Sequence, residues 1–262
     1  MLLIASGCAM AGRGEADDQI RNLRTTYGVA TAVTADLRII ARPADGEMLA
    51  FNITLWAQHD GSLRMSCTKY NVPFLECIIA PDGSFEGALV RDKQRVSGTL
   101  QEIAAAVAAG DAAGGAAFSE LLTMATILRL GPMVDADNWR WHDEKEHVLL
   151  GDLDGDKLEW HLHLNGMNVS SASLVADGIP QFTMTFSHER EFERLKRPQG
   201  SRLSVRGDNT AYVFRLRNFA AVPGISATNM AFNAPEDWPH TTIEAFLEAL
   251  VAPDGDASSP EP

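Results

Sequence analysis

The sequence predicts an α+β fold in which an antiparallel β-sheet takes up most of the chain. Apolar and polar residues alternate over many short stretches, and Asp-Gly pairs recur between them. Asp-Gly is a dipeptide that fits tight hairpin turns. Helical spacing is confined to the two ends of the chain and one central insert. The predicted order is therefore helix, about six strands, helical insert, about five strands and terminal helix.

The first predicted element is an amphipathic helix at about 15–30. Ile20, Leu23 and Tyr27 fall on one face at helical spacing. Acidic residues occupy the first turn, where the helix dipole favours negative charge. Gly28 lies near the predicted end of this helix.

Six strands are predicted next, because side chains of like polarity recur at every second position. Asp-Gly pairs at 45–46, 60–61 and 82–83 separate some of them. This spacing is typical of an antiparallel meander. The predicted strands lie at about 33–42, 47–58, 62–70, 74–80, 84–90 and 94–99.

A helical insert is predicted at about 100–130, and a polar connection follows it. Strands resume at 147 with a hairpin around Asp154-Gly155. The last predicted helix is TTIEAFLEALV, where Thr241 and Glu244 have capping-box spacing. Between that hairpin and that helix, further strands are predicted in VSSASLVADG, PQFTMTFSHE, RLSVRGDNTAYVFRLRNF and MAFNAP.

Composition and charge restrict the classes of function. The chain has 262 residues, and no linker is evident before residue 252, so a single domain is predicted at 15–251. The tail at 252–262 is rich in Pro, Ser and acidic residues, and it is predicted to be disordered. Acidic residues outnumber basic ones by 35 to 22, for a net charge of −13, which argues against nucleic acid as a partner.

Motifs that carry catalysis or bind metal are not evident. His161 and His163 share one strand face, but Trp160 and Leu162 occupy the other, which explains the alternation without a metal. There is no Gly-rich phosphate loop, nucleophile elbow or nucleophile with an adjacent base. The sequence therefore predicts no catalytic residue, no metal and no cofactor.

Cys67 and Cys77 lie on neighbouring predicted strands and share parity. A disulfide between them is compatible with that placement. The alternative is that both are small buried side chains. The pattern alone leaves the two interpretations open.

Four parts of the chain carry a family resemblance. They are the helix ending in Tyr27, the meander TADLRIIARPA…FNITLWAQHDGSLRM, the helices around 100–130 and the closing LRNFAAVPGISATNMAFNAPEDW. Over about residues 18–238, the chain resembles the LolA/LolB-type family of bacterial lipoprotein carriers. The resemblance implies an incomplete antiparallel β-barrel, here of about eleven strands, with helices plugging the concave side. It also implies an apolar cavity that takes up acyl chains.

The same resemblance bears on the N-terminus, because LolB-type members are lipoproteins. Ala5-Ser6-Gly7-Cys8 fits a lipobox, which makes Cys8 the expected lipidation site and 1–8 the remnant of a signal peptide. A basic n-region is missing, so we expect the true start to lie upstream. Ala9 favours the outer membrane over retention in the inner one. The alternative is a free thiol in a frayed helical turn.

Alternation within the strands selects candidate residues for lining the cavity. They are Leu37, Ile39, Phe51, Ile53, Leu55, Leu63, Met65, Trp160, Leu162, Phe182, Met184 and Phe214. Helical gate candidates are Leu121, Met124, Ile127 and Leu128. The same residues would equally form a dry core, and periodicity does not say which sheet face is concave.

Two functions follow from this prediction. The first is a monomeric carrier or acceptor of acyl chains or lipoproteins, attached to the outer membrane by its lipid and facing the periplasm. The second is an envelope lipoprotein of structural or adaptor type, which binds a protein partner without transferring lipid. A large continuous cavity would favour the first, and an exposed apolar patch would favour the second.

Overall fold

The computed structural model describes nine segments of the chain. They are 5–27, 32–42, 48–109, 136–142, 147–153, 158–166, 168–192, 195–206 and 210–251. Three helices and thirteen strands lie within these segments. None of these helices is both long enough and apolar enough to cross a bilayer.

The helices are α1 (Ala5–Tyr27), α2 (Leu100–Ala109) and α3 (Ile243–Val251). Helix α1 begins earlier than the predicted start near residue 15, and its described part ends at Tyr27, short of the predicted end near residue 30. Helix α2 begins with a capping box that the sequence analysis did not identify. The backbone N–H of Thr99 donates to Glu102 Oε2 at 2.7 Å, and the N–H of Glu102 donates to Thr99 Oγ1 at 3.2 Å. The rest of the predicted insert lies outside the described residues.

The predicted cap of the last helix is wrong by one residue. Thr242 Oγ1 accepts the backbone N–H of Ala245 at 3.2 Å, so Thr242 is the N-cap. The backbone N–H of Thr241 instead donates to the carbonyl of Arg95 at 2.7 Å. Thr241 and Glu244 therefore do not form the predicted box.

Six strands precede α2. Two of the predicted Asp-Gly turns are confirmed, since φ is +96° at Gly61 and +81° at Gly83. Asp60 and Asp82 each accept the backbone N–H two residues on, at 2.8 and 2.9 Å, and these bonds lower the pKa of both carboxyl groups. The strands are β1 (Ala32–Arg42), β2 (Leu49–Ala57), β3 (Leu63–Lys69), β4 (Val72–Ile79), β5 (Ser84–Leu89) and β6 (Gln94–Thr99).

The described part of the chain after α2 contains seven strands. The predicted number of about eleven strands is wrong. One reason is that β7 lies in the stretch that was interpreted as a polar connection. MAFNAP, predicted to be a strand, contains none: its Phe232 ring lies 5.4 Å from the Arg95 guanidinium in irregular chain. The strands are β7 (Asp137–Trp141), β8 (Val148–Asp152), β9 (Leu158–Asn165), β10 (Asn168–Ala176), β11 (Ile179–Phe192), β12 (Leu195–Val205) and β13 (Ala211–Val222).

Neighbouring strands lie in the order β6-β5-β4-β3-β2 before α2 and in the order β13-β12-β11-β10-β9-β8-β7 after it. Pairings from β2 to β6 and from β7 to β13 are antiparallel. Among the described strands, β6 pairs only with β5 and β7 only with β8, so the described strands do not form a closed sheet. The prediction of an antiparallel α+β fold is confirmed at this level.

Internal contacts divide the chain into two compact units, where the sequence predicts one domain. Unit 1 comprises Met1–Val29, Leu37–Ala50 and Thr126–Ala220. Unit 2 comprises Ala30–Asp36, Phe51–Ala125 and Ala221–Pro262. In unit 2, α3 packs on β5 and β6, where the rings of Phe85 and Phe246 meet edge to face at 5.5 Å. The core of unit 1 surrounds α1.

Candidate functional site

Helix α1 places one apolar stripe on the sheet of unit 1. Ala16, Ile20, Leu23 and Tyr27 repeat at helical spacing, and each is at most 3% exposed. The polar side chains between them face solvent. The stripe packs into a cluster with Ala136, Trp139, Leu149, Trp160, Leu162, Leu164, Val169 and Ala172.

Strand register explains why these sheet residues share one face. Leu174 of β10 lies opposite both Trp160 and Phe182, and Ala172 lies opposite both Leu162 and Met184. Opposed residues on antiparallel strands point to the same side of a sheet. The face that carries the α1 cluster therefore contains four of the predicted lining residues, namely Trp160, Leu162, Phe182 and Met184. Phe214 belongs to the same face, because it and Phe186 are both opposite Ser201.

The apolar face is wider than its fully buried centre. Five half-buried apolar side chains pack against the cluster, and Phe182 meets the Trp160 ring edge to face at 5.5 Å. Half-buried aromatic side chains keep part of their apolar surface in water, and an apolar ligand that covers this surface is favoured. These border residues are Trp141, Leu153, Leu174, Phe182 and Phe186.

A buried polar cluster holds the C-terminal end of α1. The Tyr27 hydroxyl donates to Glu189 and accepts the backbone N–H of Val169 at 3.4 Å. Arg197, which is 0% exposed, donates to the Tyr27 carbonyl and lies 4.6 Å from the Phe219 ring centroid. Burial lowers the pKa of Arg197 to about 10, while burial and the bond to Glu189 raise the pKa of Tyr27. Sequence reasoning missed this cluster because Tyr27 of α1 is far along the chain from its partners on β10, β11 and β12.

A cleft opens between α1 and β7 in unit 1. Its volume is about 410 Å³, and it is lined by Asp17, Ile20, Arg21, Arg24, Ala136, Asn138 and Trp139. Asn138 has φ +49°, beside an irregularity in the β7–β8 register. Sequence reasoning missed this site, because β7 was not predicted as a strand.

The other predicted lining residues are buried, except for Phe51. Leu37 and Ile39 are each 2% exposed. Phe51 is half-buried, and its ring meets Phe74 at 5.6 Å. The remaining four, which lie on one face of β2 and β3, are Ile53, Leu55, Leu63 and Met65.

The structure does not describe the predicted gate residues or the side chain of the predicted lipidation residue. Leu121, Met124, Ile127 and Leu128 lie outside the described residues. Cys8 lies within the helical backbone of α1. Its modification stays a prediction.

Cys67 and Cys77 are free thiols in the structure. Cys67 lies opposite Leu75, and Cys77 lies opposite Met65, so the two cysteines are diagonal neighbours. Both are buried, which raises both thiol pKa values, that of Cys77 to about 12. The structure therefore agrees with the alternative of two small buried side chains.

His161 and His163 lie on the sheet face opposite the α1 cluster. His161 Nε2 lies 3.0 Å from Glu159 Oε2 on the same strand. Across the described segments, no group of three or more His, Cys, Asp or Glu side chains is arranged to hold a metal ion. His161 is thus accounted for by its carboxylate neighbour.

Comparison of sequences finds no matching protein-family model, and no curated protein matches either. Comparison of structures does find similar folds. The LolA superfamily protein NE2245 from Nitrosomonas europaea aligns with a TM-score of 0.56 at 7% identity, covering 83% of this chain and 98% of that one. A Desulfovibrio piger protein of the DUF1329 family aligns with a TM-score of 0.56 at 10% identity, covering 86% and 98%.

A third similar structure carries a functional description. It is a Vibrio parahaemolyticus domain described as an outer membrane lipoprotein-sorting protein, with a TM-score of 0.53 at 9% identity. The alignment covers 83% of this chain and 97% of that domain. Identities this low establish the fold and not the activity. The chain therefore has a LolA-like fold, as its sequence pattern predicts.

Proposed function

We propose that this protein binds the acyl chains of a lipid or lipoprotein on the α1-facing side of unit 1. The observation that carries the proposal is the half-buried aromatic border around the α1 cluster. The fold likeness to a lipoprotein-sorting domain supports it. Each methylene that leaves water for such a surface contributes about 0.8 kcal/mol, so a single long chain supplies a large driving force.

Binding in this proposal requires α1 to shift or the border to widen. Phe182 and Phe186 lie on alternate positions of β11, at the edge of the buried cluster. An acyl chain along them would cover surface that water now reaches. Release would follow when a tighter acceptor takes the chain. The proposed protein is a carrier or acceptor without a catalytic step, metal or cofactor.

We further propose that Cys8 is lipidated and that the protein is an outer membrane lipoprotein facing the periplasm. The support is the lipobox-like Ala5-Ser6-Gly7-Cys8. Palmitate labelling of cells that express the full chain should mark the wild type but not the Cys8→Ser variant. Equal labelling of both would contradict a lipid on this cysteine.

Native mass spectrometry tests acyl-chain binding. The Cys8→Ser full chain, purified without detergent, should carry an adduct of acyl-lipid mass or acquire one from added short-chain phospholipid. Phe186→Asp should abolish that adduct, because it places a charge in the apolar border.

Thr185→Asp is the matched control. Thr185 is the next residue on β11, is exposed and points to the opposite face. This variant should keep the adduct. A clean unliganded mass in the wild type after lipid addition would overturn the proposal.

A protein partner is the second candidate function. At the β3–β4 turn, Tyr70 is 87% and Val72 is 57% exposed, which places two large apolar side chains close together on the surface. A crosslinker placed at Tyr70 should capture one envelope protein, with capture lost on Val72→Ser. If the crosslinker captures one envelope protein and native mass spectrometry shows only the unliganded chain, the results favour an adaptor over a carrier.

A further inference from the structure

Four exposed arginines lie along β12 and β13 of unit 1 and form an arginine row. Leu203 is 1% exposed on the sheet face that carries the α1 cluster, so its neighbour Arg202 lies on the other face. Arg215 shares that other face, because it is opposite Gly200, which lies two positions before Arg202. Alternation continues the row along both strands. Its members are Arg202, Arg206, Arg215 and Arg217.

The arginine row spreads positive charge along the sheet. Arg202 and Arg215 are diagonal neighbours, whose Cα atoms are about 7–8 Å apart in such a pair. Arg215 and Arg217 are two positions apart on β13, which corresponds to about 7 Å. At the other end, the backbone N–H of Arg206 donates to the carbonyl of Gln181 at 2.8 Å, so the row stays attached to the sheet. The row is therefore an extended cationic surface.

The guanidinium groups of the arginine row have no partner within the described segments. None of the four forms an ion pair, a side-chain hydrogen bond or a ring contact there. Other arginines of unit 1 do have acidic partners. Arg140 pairs with Asp152 at 2.6 Å. Arg21 pairs with Asp18 at 2.9 Å. The row therefore leaves four cations that an external partner can contact.

The side chains beside the arginine row are short and carry hydroxyl groups. Thr185 lies opposite Arg202, and Ser187 lies opposite Gly200. Both are exposed. Short side chains let the longer arginines reach a flat partner, and hydroxyl groups can add hydrogen bonds to its oxygen atoms.

The local charge around the arginine row is opposite to that of the whole chain. From Glu189 to Arg217 the sequence has eight Lys and Arg residues and four Asp and Glu residues, whereas the net charge of the chain is −13. Guanidinium groups bind phosphate through paired hydrogen bonds. An extended row of cations matches the many phosphates of an anionic bilayer. A carrier or acceptor of acyl chains has to meet a bilayer, which favours this partner over an acidic protein.

We propose that the arginine row docks unit 1 on a bilayer that contains anionic phospholipid. Its guanidinium groups contact lipid phosphates. Helix α1 and the aromatic border lie on the other face of the sheet, where docking leaves them free to move. The choice of a bilayer over an acidic protein rests on the proposed function.

Vesicle flotation tests the docking. The Cys8→Ser full chain should float with phosphatidylcholine vesicles that contain phosphatidylglycerol, but not with vesicles of phosphatidylcholine alone. This background removes any contribution from a lipid on Cys8. Binding should weaken as salt is added, because salt shortens the distance over which charges attract. Equal binding to both kinds of vesicle would overturn the proposal.

Matched charge variants locate the contact. Arg202→Gln and Arg215→Gln should each weaken binding to the anionic vesicles about fivefold, as expected for one cation near a charged bilayer. Arg21→Gln is the control, because it removes the same charge from α1, which packs on the other face of the sheet. It should leave the binding unchanged. An equal loss in all three variants would show that net charge and not the row is responsible, and would overturn the proposal.

Two variants of β11 separate docking from acyl-chain binding. Thr185→Asp places a carboxylate opposite Arg202, so it should lose vesicle binding and keep the acyl adduct. Phe186→Asp should lose the adduct and keep salt-sensitive vesicle binding. Docking of a wild-type chain that takes up no acyl lipid supports the row and counts against the proposed function. If Phe186→Asp abolishes flotation while Arg202→Gln does not, acyl contacts hold the vesicle and the row does not.

Polyglutamate tests the acidic-protein alternative. The chain should bind the anionic vesicles more tightly than it binds polyglutamate. Binding to polyglutamate without binding to the vesicles would assign the row to an acidic protein and overturn docking on a bilayer. Binding to neither would also overturn it.

Discussion

Gly151 of β8 shows how closely the core of unit 1 is packed. An added Cβ would lie 2.8 Å from the Ala136 Cβ and 2.9 Å from the Trp139 ring, neither of which has a flexible end that can move away. We expect Gly151→Ala to lower the free energy of unfolding by about 1–3 kcal/mol. Urea unfolding measures the change.

Gly224→Ala is the control for that substitution. Nothing lies within 4 Å of a Cβ added at Gly224. The control should stay within about 0.5 kcal/mol of the wild type. Equal effects of the two substitutions would show that Trp139 does not pack on Gly151.

The two sheet cysteines give a second prediction for single residues. Burial keeps both thiols protonated, so Cys67 and Cys77 should not react with a thiol reagent at pH 8 in the folded Cys8→Ser chain. Both should react once the chain is unfolded in guanidinium. If no thiol appears after unfolding until a reductant is added, the pair is a disulfide and the free-thiol assignment is wrong.

At the scale of one element, α1 depends on contacts at its C-terminal end. Its last residue, Tyr27, contacts Glu189 and Val169 through the hydroxyl and Arg197 through the carbonyl. These bonds fix the end of the helix from which the apolar stripe begins. The polar cluster therefore sets where α1 lies over its sheet face.

Tyr27→Phe should destabilise the protein by about 1–2 kcal/mol, because it leaves buried polar partners without the hydroxyl. Urea unfolding monitored by circular dichroism measures the loss. Tyr70→Phe provides the matched control, since that side chain is 87% exposed. If Tyr27→Phe is as stable as Tyr70→Phe, the hydroxyl does not hold α1.

At the scale of the whole molecule, the two buried thiols make the free energy of unfolding depend on pH in the alkaline range. Burial raises the pKa of Cys77 from an ordinary value of 9.0 to about 12 and moves the pKa of Cys67 the same way. Between pH 9 and 10 the unfolded chain loses thiol protons that the folded chain keeps. The free energy of unfolding should therefore fall, by about 2 kcal/mol for two thiols.

Arg197 acts in the opposite direction but only above pH 10, because burial lowers its pKa to about 10. The decisive comparison is therefore urea unfolding at pH 9 and pH 10. The Cys67→Ala/Cys77→Ala double variant should lose most of the pH dependence in this window. If the free energy of unfolding of the double variant falls between pH 9 and pH 10 as much as that of the wild type, the thiols are not the cause of the pH dependence.

The sequence by itself determined the antiparallel fold class, two hairpin turns and which predicted lining residues of one strand share a face. These features depend on local chemistry: glycine reaches positive φ in the two turns, and side chains alternate along a strand. Alternation predicts that Trp160 and Leu162 share one face of their strand and that Phe182 and Met184 share one face of theirs, and the register places both pairs on the same face of the sheet. The resemblance of four stretches of the sequence to the LolA/LolB-type family implied the LolA-like fold that the structure has.

Only the tertiary structure decided which distant residues meet. β7 was missed because its residues are mainly polar, and its Trp139 packs on Gly151 from a neighbouring strand. The cluster of Tyr27, Glu189 and Arg197 and the α1–β7 cleft depend on contacts between elements far apart in the chain. The periodicity of a single sequence does not indicate such contacts, because it predicts which face of its own element a side chain occupies and not which distant residue it contacts.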